Sequence, residues 1–169
     1  MGKLPIEAHA PADPRALRAM FGRFASGVTI VTCGTGDDAH GMTANSFTSV
    51  SLDPPMGLVS VAKATRQHDR LLTRDRFAIS VLADCHHAAS DHFAGRQCSG
   101  FEPEFDERYG VAVIRDALAW MVLERAEEFS VATHTLFVGR VLDCGYRENA
   151  APLIFFGGAY QQLAARVAA

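Results

Sequence analysis

The alternation of apolar and polar positions predicts one opening helix followed by a series of strands. Asp13 can cap that helix, Pro14 suits its first position, and Gly27 can end it. Its apolar stripe consists of Leu17, Met20, Phe21 and Phe24. Strands are predicted near residues 28–33, 42–51, 57–62, 77–82, 118–129, 135–145 and 152–156.

The segments between these strands predict turns, short helices and a lid. Residues 34–41 are rich in glycine and aspartate and favour a hairpin loop. Residues 63–70 lead into a short helix that ends near Asp75, and a second helical stretch runs through Phe93. Residues 95–110 mix aromatic and charged side chains, which indicates a loop or lid, and the tail beyond Gly158 is helical by propensity. Many strands and few helices predict a mainly β protein with flanking helices, built as a closed or split barrel.

The predicted strand over residues 42–51 gathers hydroxyl and amide side chains on one face. With a period of two, that face carries Thr43, Asn45, Phe47, Ser49 and Ser51. Small hydroxyls and backbone N–H groups can approach an anion closely, so the row suits a planar, polar-edged ligand with a phosphate tail. A solvated strand face has the same periodicity. The run 53–55, Asp-Pro-Pro, is expected to stop this strand, because proline lacks a donor and restricts the residue before it.

Length and charge restrict the class of protein. The 169 residues suit one domain over 15–169, preceded by a flexible lead-in over residues 1–14. A net charge of −3 and a pI of about 6.1 argue against a nucleic-acid partner. No apolar run approaches the roughly 18 residues of a membrane span, and the lead-in does not resemble a signal peptide. A cytoplasmic location is therefore expected.

The cysteine, histidine and glycine patterns argue against disulfides, a metal site, a Rossmann dinucleotide site and a serine hydrolase. The four cysteines are widely spaced without a C-x-x-C pair, so they are expected to be reduced thiols. In the run 85–92, His87 and Asp91 share a helical face and Cys85 could add a thiolate, but no distant fourth ligand is evident, so no metal site is expected. The chain has neither a G-x-G-x-x-G dinucleotide fingerprint nor a G-x-S-x-G nucleophile elbow.

The order of residues in the polar strand, rather than its periodicity, resembles a known family. The run Thr-Ala-Asn-Ser-Phe-x-Ser-x-Ser-x-x-Pro-Pro, which begins at Thr43, is similar to the signature of short-chain flavin reductases, the small partners of two-component flavin-dependent monooxygenases. Segments 27–32, 77–82, 134–141 and 152–160 also match the family, in its order. The resemblance spans about Phe21 to Leu163 and implies an FMN-binding split β-barrel.

The resemblance assigns flavin-binding roles to two segments. It places Thr43, Ala44 and Asn45 along the isoalloxazine ring. It places Ser46, Ser49 and Ser51, with Val50 between them, beside the ribityl and phosphate groups. Lys63, Thr65 and Arg66 match a basic, hydroxyl-bearing turn near the flavin phosphate, where a positive charge is physically reasonable. A solvated charged turn is the alternative for these three residues.

The resemblance also assigns residues to the nicotinamide side and to the lid. His134 opens a His-x-x-Phe-x-Gly strand and is implied to lie near the nicotinamide, as the catalytic residue; a surface histidine at a strand end is the alternative. Tyr160 is placed to close over the ring system or the partner subunit, and Phe93 and Arg96 belong to the lid. Two departures affect these assignments: Gln67 replaces a frequent threonine in the phosphate turn, and residues 132–133, Ala-Thr, stand where Gly-Asp is frequent.

The implied activity is hydride transfer from a reduced nicotinamide to FMN or FAD, followed by release of the reduced flavin to a separate monooxygenase component. The residues do not separate FMN from FAD. NADH is expected rather than NADPH, because no pair of arginines is evident for a 2′-phosphate. The family usually forms homodimers, so a homodimer is expected. Two alternatives stay open: a flavin-binding electron-transfer module without turnover, and a reductase of the same fold that acts on a corrin metal or ferric iron.

Overall fold

The computed structural model describes residues 13–96 and 99–163. These residues form three α-helices: α1 (Pro14–Phe21), α2 (Arg66–Leu72) and α3 (His87–Phe93). The strands are β1 (Ser26–Gly27), β2 (Thr29–Cys33), β3 (His40–Ala44), β4 (Thr48–Leu52), β5 (Pro55–Ala62), β6 (Arg76–Val81), β7 (Phe105–Arg108), β8 (Val111–Ile114), β9 (Ala119–Val131), β10 (His134–Tyr146), β11 (Ile154–Phe156) and β12 (Ala159–Gln161). The chain is therefore mainly β with flanking helices, as predicted.

The largest element of the fold is a seven-stranded antiparallel sheet that curls back on itself. Its strand order is β3-β2-β6-β9-β10-β5-β4, so β3 and β4 are its two edges. Only residues 45–47 separate β3 from β4 in the chain. Because an extended chain covers at most about 3.6 Å per residue, the edges meet within roughly 14 Å at this link. The sheet is therefore rolled into a barrel with a seam between β3 and β4.

Hydrophobic clusters fill both faces of the rolled sheet. Every residue of β2 is buried, and its side chains alternate between the two clusters: Val31 packs with Phe77 and Phe137, whereas Ile30 packs with Leu82 on the other face. A strand covered on both faces reads as a continuous apolar run, which is why β2 was predictable. The second cluster extends to side chains of β7, β11 and β12, so the smaller sheets close over the flank of the barrel.

The prediction of a single strand over residues 42–51 was wrong. The segment is two strands on opposite edges of the sheet, because β3 pairs with β2 whereas β4 pairs with β5. The polar row therefore breaks at Asn45, and a bulge at Val50 shifts the alternation again. Residues 53–55 do not simply end the ladder either. They form a hairpin in which the next strand already begins at Pro55, opposite Leu52.

Three other predicted elements differ from the structure. Helix α1 is capped by Asp13, whose Oδ1 accepts from the Arg15 N–H at 2.9 Å, but it ends at Phe21 with Gly22 as its C-cap, before Gly27. The predicted lid over 95–110 contains strand β7, which forms a hairpin with β8. Beyond Gly158 the chain forms strand β12 instead of a helix; residues 164–169 lie outside the described residues, as do residues 1–12 of the predicted lead-in.

The remaining predicted strands and the two later helices are confirmed within a few residues at each end. None of the helices in ranges 13–96 and 99–163 has both the length and the apolar content needed to cross a membrane.

Candidate functional site

Two adjoining pockets flank the C-terminal end of α3, where the barrel seam begins. The small pocket, of about 190 Å³, is lined by Val28, Thr43, Ala44, Asn45, Ser90, Ala94, Arg96, Phe155 and Tyr160. The large pocket, of about 520 Å³, is lined by residues of β3, α2, α3 and β7, among them His40, Met42, Thr65, Arg66, Gln67, Phe93 and Phe105. Ala94 lines both pockets, so they are neighbours.

The structure brings five of the predicted site residues together in the small pocket: Thr43, Ala44, Asn45, Arg96 and Tyr160. They come from β3 and the link that follows it, from the residues after α3 and from β12, three parts of the chain that sequence spacing alone does not relate. Asn45 is exposed, whereas Ala44 is buried at the seam. Apolar walls with a few polar edges are the usual lining of a site for a planar cofactor.

Helix α3 holds the small pocket together through Ser90 and Asp91. The buried Ser90 carbonyl accepts a 2.7 Å hydrogen bond from Thr43 Oγ1. The Tyr160 hydroxyl lies 2.8 Å from both Ser90 Oγ and Asp91 Oδ1. A phenol has one proton and a carboxylate only accepts, so the Tyr160 O–H donates to Asp91. The same Oδ1 accepts from Arg96 Nη1 at 2.8 Å. One carboxylate oxygen therefore fixes two predicted site residues.

Burial and hydrogen bonding shift the ionisation of Tyr160. Desolvation raises the pKa of its phenol, and the neighbouring charge of Asp91 raises it further. The phenol therefore stays protonated over the whole neutral range and keeps its hydrogen bond to the carboxylate.

The large pocket has an aromatic wall supplied by Phe93. The ring of Phe93 packs closely against Gly41 of β3: a Cβ atom at position 41 would come within 2.8 Å of it. Phe105 stands next to Phe93, with their ring centroids 6.1 Å apart. Thr65 and Arg66 line the same pocket, and Thr65 also caps α2 by accepting from the His68 N–H. Three predicted site residues, Phe93, Thr65 and Arg66, therefore meet here.

A buried amide positions a histidine at the large pocket. His40 Nδ1 lies 2.7 Å from Gln67 Oε1, and Gln67 is 1% exposed. Gln67 Nε2 donates to the Val31 carbonyl at 3.2 Å, which leaves Oε1 as the atom that faces the histidine. Gln67, which departs from the family's frequent threonine, is thus a buried support of the pocket.

Lys63 and His134 lie together at the end of β5, outside both pockets. His134 pairs with Ala62 across the sheet. Lys63 Nζ donates to Ser130 Oγ at 2.7 Å and to the Ala132 carbonyl at 2.8 Å. His134 is exposed, with Nδ1 2.9 Å from Thr133 Oγ1. The ammonium group therefore braces the β9–β10 turn beside the histidine.

The predicted phosphate serines are distributed along the seam rather than gathered in a pocket. Ser46 Oγ donates to the Ser60 carbonyl at 2.8 Å, which ties the link between the edges to β5. Ser49 and Val50 are exposed on β4, and Ser51 is half-buried. Neither pocket is lined by these four residues. Their proposed contact with a ligand therefore depends on a molecule that extends along the outside of the seam.

Sequence reasoning missed four residues that shape the site: Ser90, Asp91, His40 and Gln67. Asp91 had been considered only as a metal ligand with His87. Throughout the described parts of the chain, no group of three His, Cys, Asp or Glu side chains is arranged to hold a metal ion. His87 instead packs against the Tyr160 ring at 4.8 Å between centroids. His87 precedes Asp91 by about one helical turn, and the predicted helix follows a buried strand. This arrangement was the signal in the sequence that one face of the helix forms the wall of a pocket.

The rolled antiparallel sheet with its flanking helices defines the class of the protein as a split barrel, and comparison with known proteins shows its family. Residues 21–164 match the family described as flavin reductase like domain. An NADH-dependent flavin reductase from a Rhodococcus species is 40% identical over 153 residues, covering 89% of this chain and 86% of that protein. The chain belongs to the flavin reductase family.

Solved structures of flavin reductases share the whole architecture. The NADH:FAD oxidoreductase SgcE6 of Streptomyces globisporus superposes with a TM-score of 0.88 at 36% identity, covering 96% of this chain and 100% of that one. The flavin reductase of the styrene monooxygenase from Pseudomonas putida S12 gives a TM-score of 0.81 at 35% identity, with coverage of 89% and 99%. The predicted family, fold and enzyme class are confirmed.

Proposed function

We propose that this protein is an NADH-dependent flavin reductase that supplies reduced FMN or FAD to a separate monooxygenase component. The observation that carries the proposal is the small pocket, which Thr43, Ala44 and Asn45 line together with Tyr160 and apolar side chains. Two of the similar proteins named above are described as using NADH, and the third is the flavin reductase of a styrene monooxygenase. Identity near 40% over nearly the full chain makes a shared reaction the expected outcome.

The residues present fit a flavin. A pocket of about 190 Å³ is smaller than the roughly 300–1,000 Å³ of complete ligand sites, so it encloses one part of the ring system. The ribityl chain and phosphate then extend along the seam past Ser46 and toward Lys63, Thr65 and Arg66. Lys63 and Arg66 are exposed cations that can neutralise a phosphate, and the Thr65 hydroxyl can donate to it.

The bound flavin supplies the hydride-accepting chemistry, so the protein has to orient two rings and exclude water. Asn45 and the backbone of β3 orient the flavin edge. His134 is exposed at the start of β10, and its ring can donate a hydrogen bond to the nicotinamide carboxamide or stabilise negative charge on the reduced flavin. No strongly shifted acid or base is required for this reaction.

A homodimer would cover the outer face of the barrel. On this face Leu58 pairs with Val138, and Leu136 pairs with Phe129, whose side chain is 49% exposed. Val131 is 51% exposed and pairs with His134. Directly paired side chains lie on the same side of a sheet, so these residues form one surface, mainly apolar, that also carries Ser60, Glu127 and the predicted catalytic histidine. Apolar patches of this kind mark interaction sites.

The dimer is tested by sedimentation equilibrium of the wild type and of Phe129→Glu. We expect a dimer that dissociates in the variant, because a carboxylate cannot be buried there without a partner. A wild-type monomer, or a dimer that tolerates the glutamate, would exclude this face. For the location, we propose the cytoplasm, where NADH is available; recovery of the protein in the membrane or exported fraction of cells would contradict it.

The function is tested by following the absorbance of NADH in the presence of the purified protein, with FMN, with FAD and with neither. Rapid NADH oxidation that requires added flavin would establish the reductase. Tight flavin binding without NADH oxidation would instead favour an electron-transfer module. Oxidation that proceeds only with a ferric complex or a corrin would favour a reductase of another acceptor.

A further inference from the structure

A buried polar pair joins α2 to β10 in the interior of the barrel. His68 of α2 is 8% exposed, and its Nε2 lies 2.9 Å from Oγ1 of Thr135, which is 5% exposed. The His68 ring also packs edge-on against Phe137, with 5.7 Å between the ring centroids. Phe137 belongs to one of the hydrophobic clusters of the barrel, so the pair lies beside apolar side chains and its hydrogen bond is shielded from water.

Stability alone does not account for a histidine at position 68. Its second ring nitrogen, Nδ1, is buried without a hydrogen-bond partner among the described residues, and Asp69 Oδ1 lies 3.5 Å from it. A buried polar atom that makes no hydrogen bond destabilises the folded state, and an apolar pair of similar shape would avoid this cost. The histidine provides what an apolar residue cannot, which is a directional link to β10.

This link connects the two parts of the proposed site that carry Arg66 and His134. The His68 N–H donates to Thr65 Oγ1 at 3.3 Å, and Arg66 is the first residue of α2. At the other end of the link, Thr135 directly follows His134 at the start of β10; the Thr135 side chain is buried and the His134 side chain is exposed. A movement of Thr135 therefore moves the backbone that carries His134.

The turn before His134 is held separately, by Lys63. The Lys63 N–H donates to the Thr133 carbonyl at 2.9 Å, and its Nζ donates to Ser130 Oγ and to the Ala132 carbonyl. The Nζ contacts are exposed, whereas the bond that holds the strand after His134 is buried. Water competes for exposed hydrogen bonds and not for buried ones, so the buried bond sets the position of β10 more firmly.

We infer that His68 is a positioning residue for hydride transfer, because its bond to Thr135 holds His134 in place relative to Arg66 and the N-terminus of α2. The inference rests on the proposed function, which puts His134 at the nicotinamide and Arg66 at the flavin phosphate. A shift of about 1 Å in a positioned group can lower a reaction rate roughly 100-fold, so loss of the buried bond should affect turnover more than binding.

The test compares steady-state NADH oxidation and flavin affinity in variants that are matched at each end of the bond. Thr135→Val removes the hydroxyl with little change in shape, and Thr135→Ser keeps the hydroxyl. His68→Gln places an amide nitrogen near the position of Nε2, whereas the shorter His68→Asn reaches only the position of Nδ1. We expect Thr135→Val and His68→Asn to lower kcat about tenfold or more with less than about a twofold change in flavin affinity. Thr135→Ser and His68→Gln should retain most of the activity.

Two controls distinguish positioning from a general loss of structure. Leu71→Ala opens a cavity beside the same helix and leaves both members of the bond in place, so kcat of the folded protein should stay within about twofold of the wild type. In the His134→Ala background, Thr135→Val should lower kcat no further, because the group that it positions is gone. Additive losses in that double variant, an equal loss of kcat in Leu71→Ala, or unchanged kcat in folded Thr135→Val would overturn the inference. Failure of the proposed function would appear separately, as absent NADH oxidation in a wild type that binds flavin.

Discussion

Replacing Tyr160 by phenylalanine separates the two roles that a tyrosine can have at the small pocket. The hydroxyl is 2.8 Å from Ser90 Oγ and from Asp91 Oδ1, so the structure uses it to attach β12 to α3. The ring lines the pocket. We therefore expect Tyr160→Phe to destabilise the protein while the affinity for flavin changes by less than about twofold, a difference well below one hydrogen bond.

The size of the destabilisation follows from the partners. A hydrogen bond to a charged group contributes about 1.5–3 kcal/mol when buried, and Tyr160 is half-buried, so we expect a loss of about 1–2 kcal/mol in the free energy of unfolding. Asp91→Asn keeps an oxygen acceptor but removes the charge. The double variant should therefore lose less than the sum of the single variants, with a coupling of about 1 kcal/mol.

Urea denaturation of the four proteins of this cycle gives the stabilities, and fluorescence titration gives the flavin affinities. Tyr146→Phe is the matched control, because Tyr146 is 76% exposed and its hydroxyl has no hydrogen-bond partner among the described residues. Additive stabilities would refute the shared hydrogen bond. Phenylalanine keeps the ring that lines the pocket. Unchanged stability together with a fivefold or greater loss of flavin affinity would therefore show that the hydroxyl binds the ligand instead.

Three further predictions concern Asn45, the predicted catalytic residue His134 and the dependence of stability on pH. Asn45→Ala should weaken flavin binding about tenfold in a folded protein, since one or two hydrogen bonds are lost; unchanged affinity would remove Asn45 from the site. His134→Ala should lower kcat more than flavin affinity, whereas equal losses in steady-state and binding measurements would indicate a structural role. Burial lowers the pKa of His86 below its ordinary 6.5, and its Nδ1 accepts from the Ala83 N–H at 3.1 Å. Protonation therefore favours the unfolded chain. The contribution of His86 to the unfolding free energy should be constant above pH 6.5, fall as the pH drops from 6.5 to the lowered pKa, and level off below it. His86→Gln should flatten this slope, and His134→Gln should retain it.

The sequence predicted the elements whose evidence is local. Strand β2 consists mainly of β-branched residues, and helix α1 has Asp13 as its N-cap and Pro14 as its first residue, so both were found from local residue preferences and capping. The break at residues 45–47 was not found, because Asn45, Ser46 and Phe47 continue the alternation of the flanking strands. Only the pairing of β3 with β2 and of β4 with β5 reveals that the chain changes edges there.

The candidate site was predictable as a set of residue types and not as a geometry. The run from Thr43, through its resemblance to a family, named three residues that line the small pocket. The residues that support the two pockets are distant in the chain. At the small pocket Tyr160 is 69 residues from Asp91, and at the large pocket Gln67 is 27 residues from His40. No periodicity relates such pairs, since each depends on how strands from different parts of the chain are ordered in the sheet.

The three residues that join β3 to β4 also restrict how this protein can change in length. Most surface connections tolerate insertions, because extra residues loop out into solvent. Here the link bridges the two edges of the rolled sheet, carries Asn45 at the small pocket, and is fastened to β5 through Ser46. One added residue would turn the Asn45 side chain away from the small pocket, or would break the hydrogen bond between Ser46 Oγ and the Ser60 carbonyl. Natural and engineered variation in chain length should therefore be concentrated at the β2–β3 and β7–β8 turns and be absent between residues 44 and 48.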